Sequence, residues 1–280
     1  MIYIIIPVFN RLNYTKICLA SIKRQKNCEK ISVIIVDDAS TDGTGRYLKQ
    51  KKIKVLKGTG SLFWGGAISL GIRHVIKKSN NKKDWIVLIN NDVELSDYSI
   101  SELITLAKKN KRKALVSALT LDAKDKKTVV KSGTIVESWI LNKTNHVYQG
   151  LKYNQISNKE PKNVDLFTGR CLLHPIEIFK KIGNYNSVTF PHYGGDDEFS
   201  IRAKKYGYKN LLCIRSKVFL RTKKNIKNKN LLSLFKFMFN KKFSSNLVDK
   251  FNFTLKVVPT HAKISYFLVS ILKTIYVFIK

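Results

Sequence analysis

Four short runs between residues 2 and 92, IYIII, ISVIIVDD, IKVL and DWIVLINND, are apolar almost throughout, and helix-period segments separate them. A strand with one wet face alternates polar and apolar residues, whereas strands this continuously apolar need cover on both faces. The pattern therefore predicts a mostly parallel sheet of βαβ units, an α/β domain with helices on both sides. Helices are expected near Tyr14 to Arg24, Gly43 to Lys51 and Gly65 to Lys77. Such sheets bind ligands beyond the carboxyl ends of their strands. That rule directs attention to Pro7 to Arg11, Asp37 to Asp42, Gly58 to Gly66 and Asn90 to Glu94.

A second block follows. KALVSALT reads as a strand, TVVKSGTIV as hairpin material and NVDLFTGRCLLH as one strand, then a helix over Pro175 to Lys181. The polar run TKKNIKNKN reads as a linker, which divides the chain into a domain of residues 1–222 and a basic helical tail of residues 223–280. The tail holds two apolar segments, LLSLFKFMF and ISYFLVSILKTIYVFIK. The second is interrupted by Lys273, which suits a helix lying in a membrane interface better than one spanning it. Lys263, Tyr266, Ser270, Lys273, Thr274 and Lys280 fall near one stripe, with the large apolar residues elsewhere. An anionic membrane surface, the protein's own core and a homodimer through the tail are the three partners this pattern fits.

Charge bears on that choice. The formal net charge is +33, and from Lys204 onward eighteen Lys and Arg face the single acid Asp249. Such an excess attracts a polyanion, whether nucleic acid, anionic lipid or a phosphorylated substrate. The four cysteines show no CxxC spacing, which suits reduced thiols rather than a disulfide framework. The opening MIYIIIPVFN has no basic segment before its apolar run and is broken at Pro7, so it reads as a strand rather than an export signal. The expected location is cytoplasmic, at the inner face of the plasma membrane.

Against this basic background two acidic stretches stand out. VIIVDDASTDGT puts Asp37 and Asp38 at a strand's carboxyl end, where a carboxylate accepts from a base N–H or a ribose hydroxyl. Helix capping accounts for Asp42 but not for the pair before it. In FPHYGGDDEFSIRAKKYGY, a helix beginning near Asp196 puts Asp196 on one face with Phe199, Ala203 and Tyr206. A favourable helix dipole explains acids in a first turn, but not one on the apolar face. Asp196 is therefore expected to point inward. Trp64 between glycines offers either a wall for a ligand, with the next helix aiming N–H groups at phosphate, or an ordinary packing device.

Taken in order, IPVFNR, VIIVDDASTDGT, GTGSLFWGGAISLGI, INNDVEL, FTGRCLLHPIEIFKKIG and GGDDEFSIRAKKYGY resemble the motifs of family 2 glycosyltransferases with the GT-A fold. The likeness is nearest to bacterial rhamnosyl- and galactofuranosyltransferase-like enzymes of surface polysaccharide assembly. It implies a nucleotide-sugar donor, UDP- or dTDP-linked, and a glycan or lipid-linked glycan acceptor. It places Phe9, flanked by Pro7 and Asn10, on the nucleotide base, and Asp37 and Asp38 on base and ribose. Trp64, Gly65 and Asn91 join the nucleotide side. Asn90-Asn91-Asp92 stands where the family has DxD, so Asp92, helped by Asn90, would hold a divalent cation, Mg²⁺ or Mn²⁺, on the donor diphosphate. The first Asp of that motif is Asn90 here, and the His many relatives carry after a later strand is absent from SKVFLRTKK. Lys217, Arg221 or Lys223 would then supply fixed positive charge. Gly169 and Arg170, with Thr168, meet the donor sugar; His192 and Glu198 fall on the acceptor side. Asp196 matches the family's base, with Asp197 the alternative.

A basic nucleic-acid-binding α/β protein is the competing reading, since charge and interleaved aromatics fit an electrostatic footprint. It leaves the acids at strand ends unexplained, because they would repel a polyanion. Nucleic acid is therefore not the expected partner.

Overall fold

The computed structural model describes residues 1–221, 237–240 and 243–279. Strand β1 (Ile2–Val8) lies at the heart of a large sheet with β2 (Ile31–Asp37), β3 (Lys54–Lys57) and β4 (Trp85–Ile89), all parallel. Ile2, Ile4 and Ile6 fill a core on one face, while Tyr3 and Ile5 fill a second core on the other. That two-sided burial is why these strands are apolar at consecutive positions. Each fully buried aliphatic side chain contributes about 1.5–3 kcal/mol. The connecting helices are α1 (Leu12–Lys23), α2 (Thr44–Gln50) and α3 (Phe63–Lys78).

Beyond β4 come β5 (Val93–Leu95), α4 (Ser99–Lys109), β6 (Ala114–Asp122), β7 (Gly133–Ser138), β8 (Lys143–His146), β9 (Lys162–Asn163), β10 (Leu166–Phe167), β11 (Cys171–Pro175), α5 (Glu177–Ile182), α6 (Gly195–Lys205) and β12 (Lys209–Leu220). The sheet order is β3-β2-β1-β4-β11-β6-β12-β5, with β9 also paired to β12. Strands β10, β7 and β8 form a small separate sheet. β11 runs antiparallel to β4 and β6. Its first residues therefore arrive at the edge where β1, β2 and β4 end, and the amide of Asn90 donates to the carbonyl of Arg170 at 3.1 Å.

The expectation of one continuous strand over NVDLFTGRCLLH is corrected. Thr168–Arg170 turn the chain between β10 and β11, which belong to different sheets. At the turn Gly169 leaves room for a neighbour: a Cβ there would stand 2.3 Å from Cζ2 of Trp64.

The tail contributes α7 (Leu247–Lys256), capped by Asn246 accepting from the Asp249 amide at 3.0 Å, and α8 (Lys263–Ile279). In these helices and the turn between them Phe253, Val257, Val258, Ala262 and Tyr266 share a hydrophobic cluster with Trp139, Phe190 and Ile201 from earlier in the chain. The expected linker at 222–230, most of LLSLFKFMF, Lys223 and Lys280 lie outside the described residues. The four cysteines are free, three of them buried.

Candidate active site

Beyond the carboxyl ends of β1, β2 and β4 come Thr168–Arg170 and the start of α6, joined through the Asn90–Arg170 and Gly169–Asp196 bonds, and the space these groups border is the candidate cleft. After β1, Phe9 is half-exposed, with 54% of its surface free. Asn10 and Arg11 take left-handed backbone angles (φ 58° and 67°). Asn10 is locked to the next loop: its amide donates to Ser40 Oγ at 2.8 Å and its Oδ1 accepts from the Thr41 amide at 2.9 Å. Asp42 braces the same junction by accepting from the Leu12 amide at 2.7 Å.

Asp37 and Asp38 are both buried. Asp37 accepts from the Ser40 amide at 3.1 Å. Asp38 holds the Gly60–Phe63 turn, with Oδ1 accepting from Gly60 (2.7 Å) and Oδ2 from Leu62 (2.9 Å) and Phe63 (3.2 Å). A carboxylate is the right group here because one side chain satisfies three amides at once.

The expectation that α3 aims its N–H groups at phosphate is corrected. Leu62 and Phe63 donate to Asp38, and the Gly65 amide donates to the carbonyl of Pro191 at 2.7 Å. A Cβ on Gly65 would stand 2.4 Å from the carbonyl oxygen of Phe190, so the glycine serves chain-to-chain packing. Trp64 is both wall and clamp. Its ring covers Gly169, meets Tyr185 edge-on at 5.7 Å, and its Nε1 donates to Asn90 Oδ1 at 2.8 Å.

The three residues after β4 diverge. Asn90 is held by Trp64, and Asn91 turns away from the cleft to donate to Thr15 Oγ1 at 3.0 Å, buried under α1. Asp92 faces the cleft. Its Oδ2 lies 3.4 Å from the Arg11 guanidinium, while Oδ1 is buried without a hydrogen-bond partner among the described residues. Burial pushes the Asp92 carboxyl up, and Arg11 and Arg170 pull it back. Burial likewise lowers the Arg170 guanidinium, against the charges of Asp92 and Asp196, so Arg170 feels both carboxylates. It also donates to the Lys131 carbonyl.

No group of three His, Cys, Asp or Glu side chains able to chelate a metal occurs among the described residues. What the cleft offers is one unsatisfied carboxylate oxygen on Asp92. That fits a hard cation held chiefly by a ligand's phosphate oxygens, as Mg²⁺ commonly is, rather than an all-protein chelate. Asn90 is occupied by Trp64. The substitute cations are corrected too: Arg221 is paired with Glu94 at 2.9 Å, and Lys217 lies over the Tyr153 ring at 4.6 Å. Arg11 is the cation that reaches Asp92, signalled in the sequence only by its place at the end of IPVFNR.

At the far wall, Asp196 does point inward. Its Oδ2 accepts from the Gly169 amide at 2.9 Å and its Oδ1 from the Asp197 amide at 3.1 Å. Phe199 and Ala203 on the same helix face are buried, but Tyr206 is exposed because α6 has already ended before Gly207, whose φ is 80°. Burial raises the Asp196 carboxyl, and its two amide donors with Lys131 oppose the rise. Asp197 is raised much further, first by burial and then by the Asp196 charge, with only Lys131 opposing. Both carboxyls are raised, and the difference between them is geometric: two backbone amides donate to Asp196 and favour its ionised form, whereas only Lys131 opposes the rise at Asp197.

Glu198 is engaged elsewhere, in a bidentate pair with Arg202 (2.7 and 2.9 Å) that also ties α6 to the Ile182 and Asn184 carbonyls. His192 sits between Phe63 (5.6 Å) and Tyr193 (4.3 Å), its basicity lowered by burial and by Arg11. Lys131 and Tyr266 had no local signal in the sequence. Tyr266 of α8 is raised by burial and by Asp197, and Phe253 of α7 packs against Phe190 and Gly194 just ahead of α6, which makes the tail part of this wall.

A mostly parallel sheet with an acid-bearing cleft at its carboxyl edge defines a GT-A-like α/β protein. The sequence pattern of glycosyl transferase family 2 matches residues 3–183, and the chain belongs to that family. Among solved structures, it is similar to GalNAc-T7 with UDP, GalNAc and Mn²⁺ (TM-score 0.63, 13% identity), covering 99% of this chain and 57% of that one. The chain thus spans little more than half the length of that protein. It is also similar to the mannosyltransferase PcManGT from Pyrobaculum calidifontis in complex with GDP-Man and Mn²⁺ (TM-score 0.57, 12% identity), covering 98% of this chain and 68% of that one. A comparison with curated protein sequences gave no match.

Proposed function

We propose that the protein is an inverting glycosyltransferase that moves a sugar from a UDP- or dTDP-linked donor to a hydroxyl of a glycan acceptor, in cell-surface polysaccharide assembly. The observation that carries this reading is Asp196, an inward carboxylate fastened to Gly169, next to the Arg170 that also feels Asp92. The UDP, GalNAc and Mn²⁺ bound in one similar structure and the GDP-Man and Mn²⁺ bound in the other support it.

In this reading the base rests near the exposed Phe9 ring, between the loops that Asp37, Asp38 and Asn10 hold. Arg11 and Arg170 bring positive charge to the diphosphate side, where leaving-group charge accumulates. A divalent cation, when bound at Asp92, would neutralise part of that charge. Asp196, fixed by two backbone amides, takes the proton of the acceptor hydroxyl as its oxygen attacks the anomeric carbon from the face opposite the diphosphate. Trp64 and Gly169 set the sugar's position between the two sides.

The test is a thermal-shift panel of UDP, dTDP, GDP and CMP sugars with and without Mn²⁺. A rise in melting temperature with one nucleotide class, larger with Mn²⁺, is expected. No shift with any donor would remove the enzymatic reading.

A further inference from the structure

Helix α8 is turned the opposite way from a helix that serves its own core. Its polar stripe faces the protein: Ser270 and Thr274 are buried, Asn142 donates to Ser270 Oγ at 2.9 Å, and Lys250 donates to Thr274. Tyr266 on that side reaches the aromatic cluster of Trp139 (6.0 Å) and Phe253 (6.1 Å). The opposite stripe is apolar and bare. Ile264, Leu268, Leu272, Tyr276 and Ile279, spaced by three or four residues, are between 55% and 81% exposed. Helix α7 adds Val248, Phe251 and Leu255, each about half exposed, and Phe251 meets Phe267 edge-on at 5.3 Å. Two helices thus present one apolar face.

What borders that face is positive. A groove of about 520 Å³ lies between the tail and the first domain, and Leu255 belongs both to it and to the apolar face. Lys204, Lys205, Lys256 and Lys263 line it, with Trp139 as an aromatic wall. Its one acid, Asp165, is paired with Lys204. We propose that the apolar face of α7 and α8 docks on an anionic lipid bilayer, with the lysine-lined groove receiving a lipid phosphate headgroup. Charge complementarity selects this occupant, since a second copy of so basic a chain would bring lysines against lysines. The segment Thr260–Ile279 is long and apolar enough to cross a membrane, but its inner stripe is hydrogen-bonded to the protein, which fits a helix lying along the surface. Docked in this way, the side of α8 away from lipid holds Tyr266 against Phe253, which packs in turn on Phe190 just ahead of α6, so that end of the cleft is carried close to the bilayer.

The experiment is flotation of the full chain with vesicles of phosphatidylcholine alone or phosphatidylcholine with phosphatidylglycerol, alongside gel filtration. Leu268→Asp with Leu272→Asp tests the apolar face. Lys256→Glu with Lys263→Glu tests the groove. All four positions lie outside the cleft, and thermal melts verify folding. The wild type is expected to float with anionic vesicles, to bind neutral ones at least about tenfold more weakly, and to be released by alkaline carbonate. Each double variant should lose on the order of tenfold or more in anionic-vesicle binding. Four results would overturn the proposal: no flotation, equal binding to neutral vesicles, resistance to carbonate, or a solution dimer that Leu268→Asp with Leu272→Asp dissolves. Because binding is read without donor or turnover, failure here is separate from failure of the transferase reading.

Discussion

The two walls of the cleft use carboxylates in opposite ways. On the nucleotide side, Asp37, Asp38 and Asp42 accept from backbone amides of nearby loops, and their charge is used to hold the chain in shape. On the acceptor side, Asp196 and Asp197 are packed together in a poorly solvated place, and their charge is made costly. The first arrangement gives a rigid cradle and little reactivity. The second gives the proposed base, Asp196, a raised basicity, the direction that general base catalysis near neutral pH calls for.

The largest expected effect breaks this contrast on the acceptor side. Asp196→Asn should lower kcat by roughly 10²- to 10⁴-fold while donor affinity, read by thermal shift, stays within about twofold. Equal loss of donor binding would mean that Asp196 belongs to the nucleotide wall instead. Removing divalent cations with a chelator, or making Asp92→Asn, should cost about tenfold or more in turnover, with Mn²⁺ restoring the chelated wild type but not the variant. Full activity in chelator would take the cation out of the account.

On the nucleotide side, Asp38→Asn weakens up to three charge-assisted bonds. It should cost about 1.5–3 kcal/mol of stability, measured by denaturant unfolding, with a matching loss of donor binding. Gly169→Ala links the walls: the new methyl displaces the Trp64 ring, and a stability loss of about 1–3 kcal/mol with a lower kcat is expected.

The smallest effect has the opposite sign. Both acceptor-side carboxyls are raised, so the folded chain holds more protons than the unfolded one. Their contribution to stability is therefore fully present below the unfolded Asp value, about 3.9, and is lost as pH rises through the raised values. Asp197→Asn removes one of the two raised groups and its repulsion with the other, so its melting temperature above neutral pH should exceed the wild type's by about 2–4 °C, with a flatter pH dependence. A lower melting temperature would show that the Asp197 charge stabilises the fold.

How far the sequence could be read follows the same division. β1, β2 and β4 were legible because burial on both faces leaves an unbroken apolar run. Asp196 was legible because helical spacing sets it beside Phe199 and Ala203. Contacts made across space were not: Arg11 on Asp92, Lys131 near Asp196, and Tyr266 near Asp197 join residues far apart in the chain. The turn at Thr168–Arg170 was hidden because an apolar run continues on both sides of it and the Trp64 ring packed on Gly169 comes from far away in the chain. In α8 the two stripes were visible, yet periodicity alone does not say which one meets the protein. The structure turns Ser270 and Thr274 inward.

A single displacement with one base is the core of the account, and the anomeric configuration of the product tests it most directly. With the donor selected by thermal shift, proton NMR of the product formed at early time should show the configuration opposite to that of the donor. Retention of configuration would contradict the assignment of Asp196 as the base of a direct displacement.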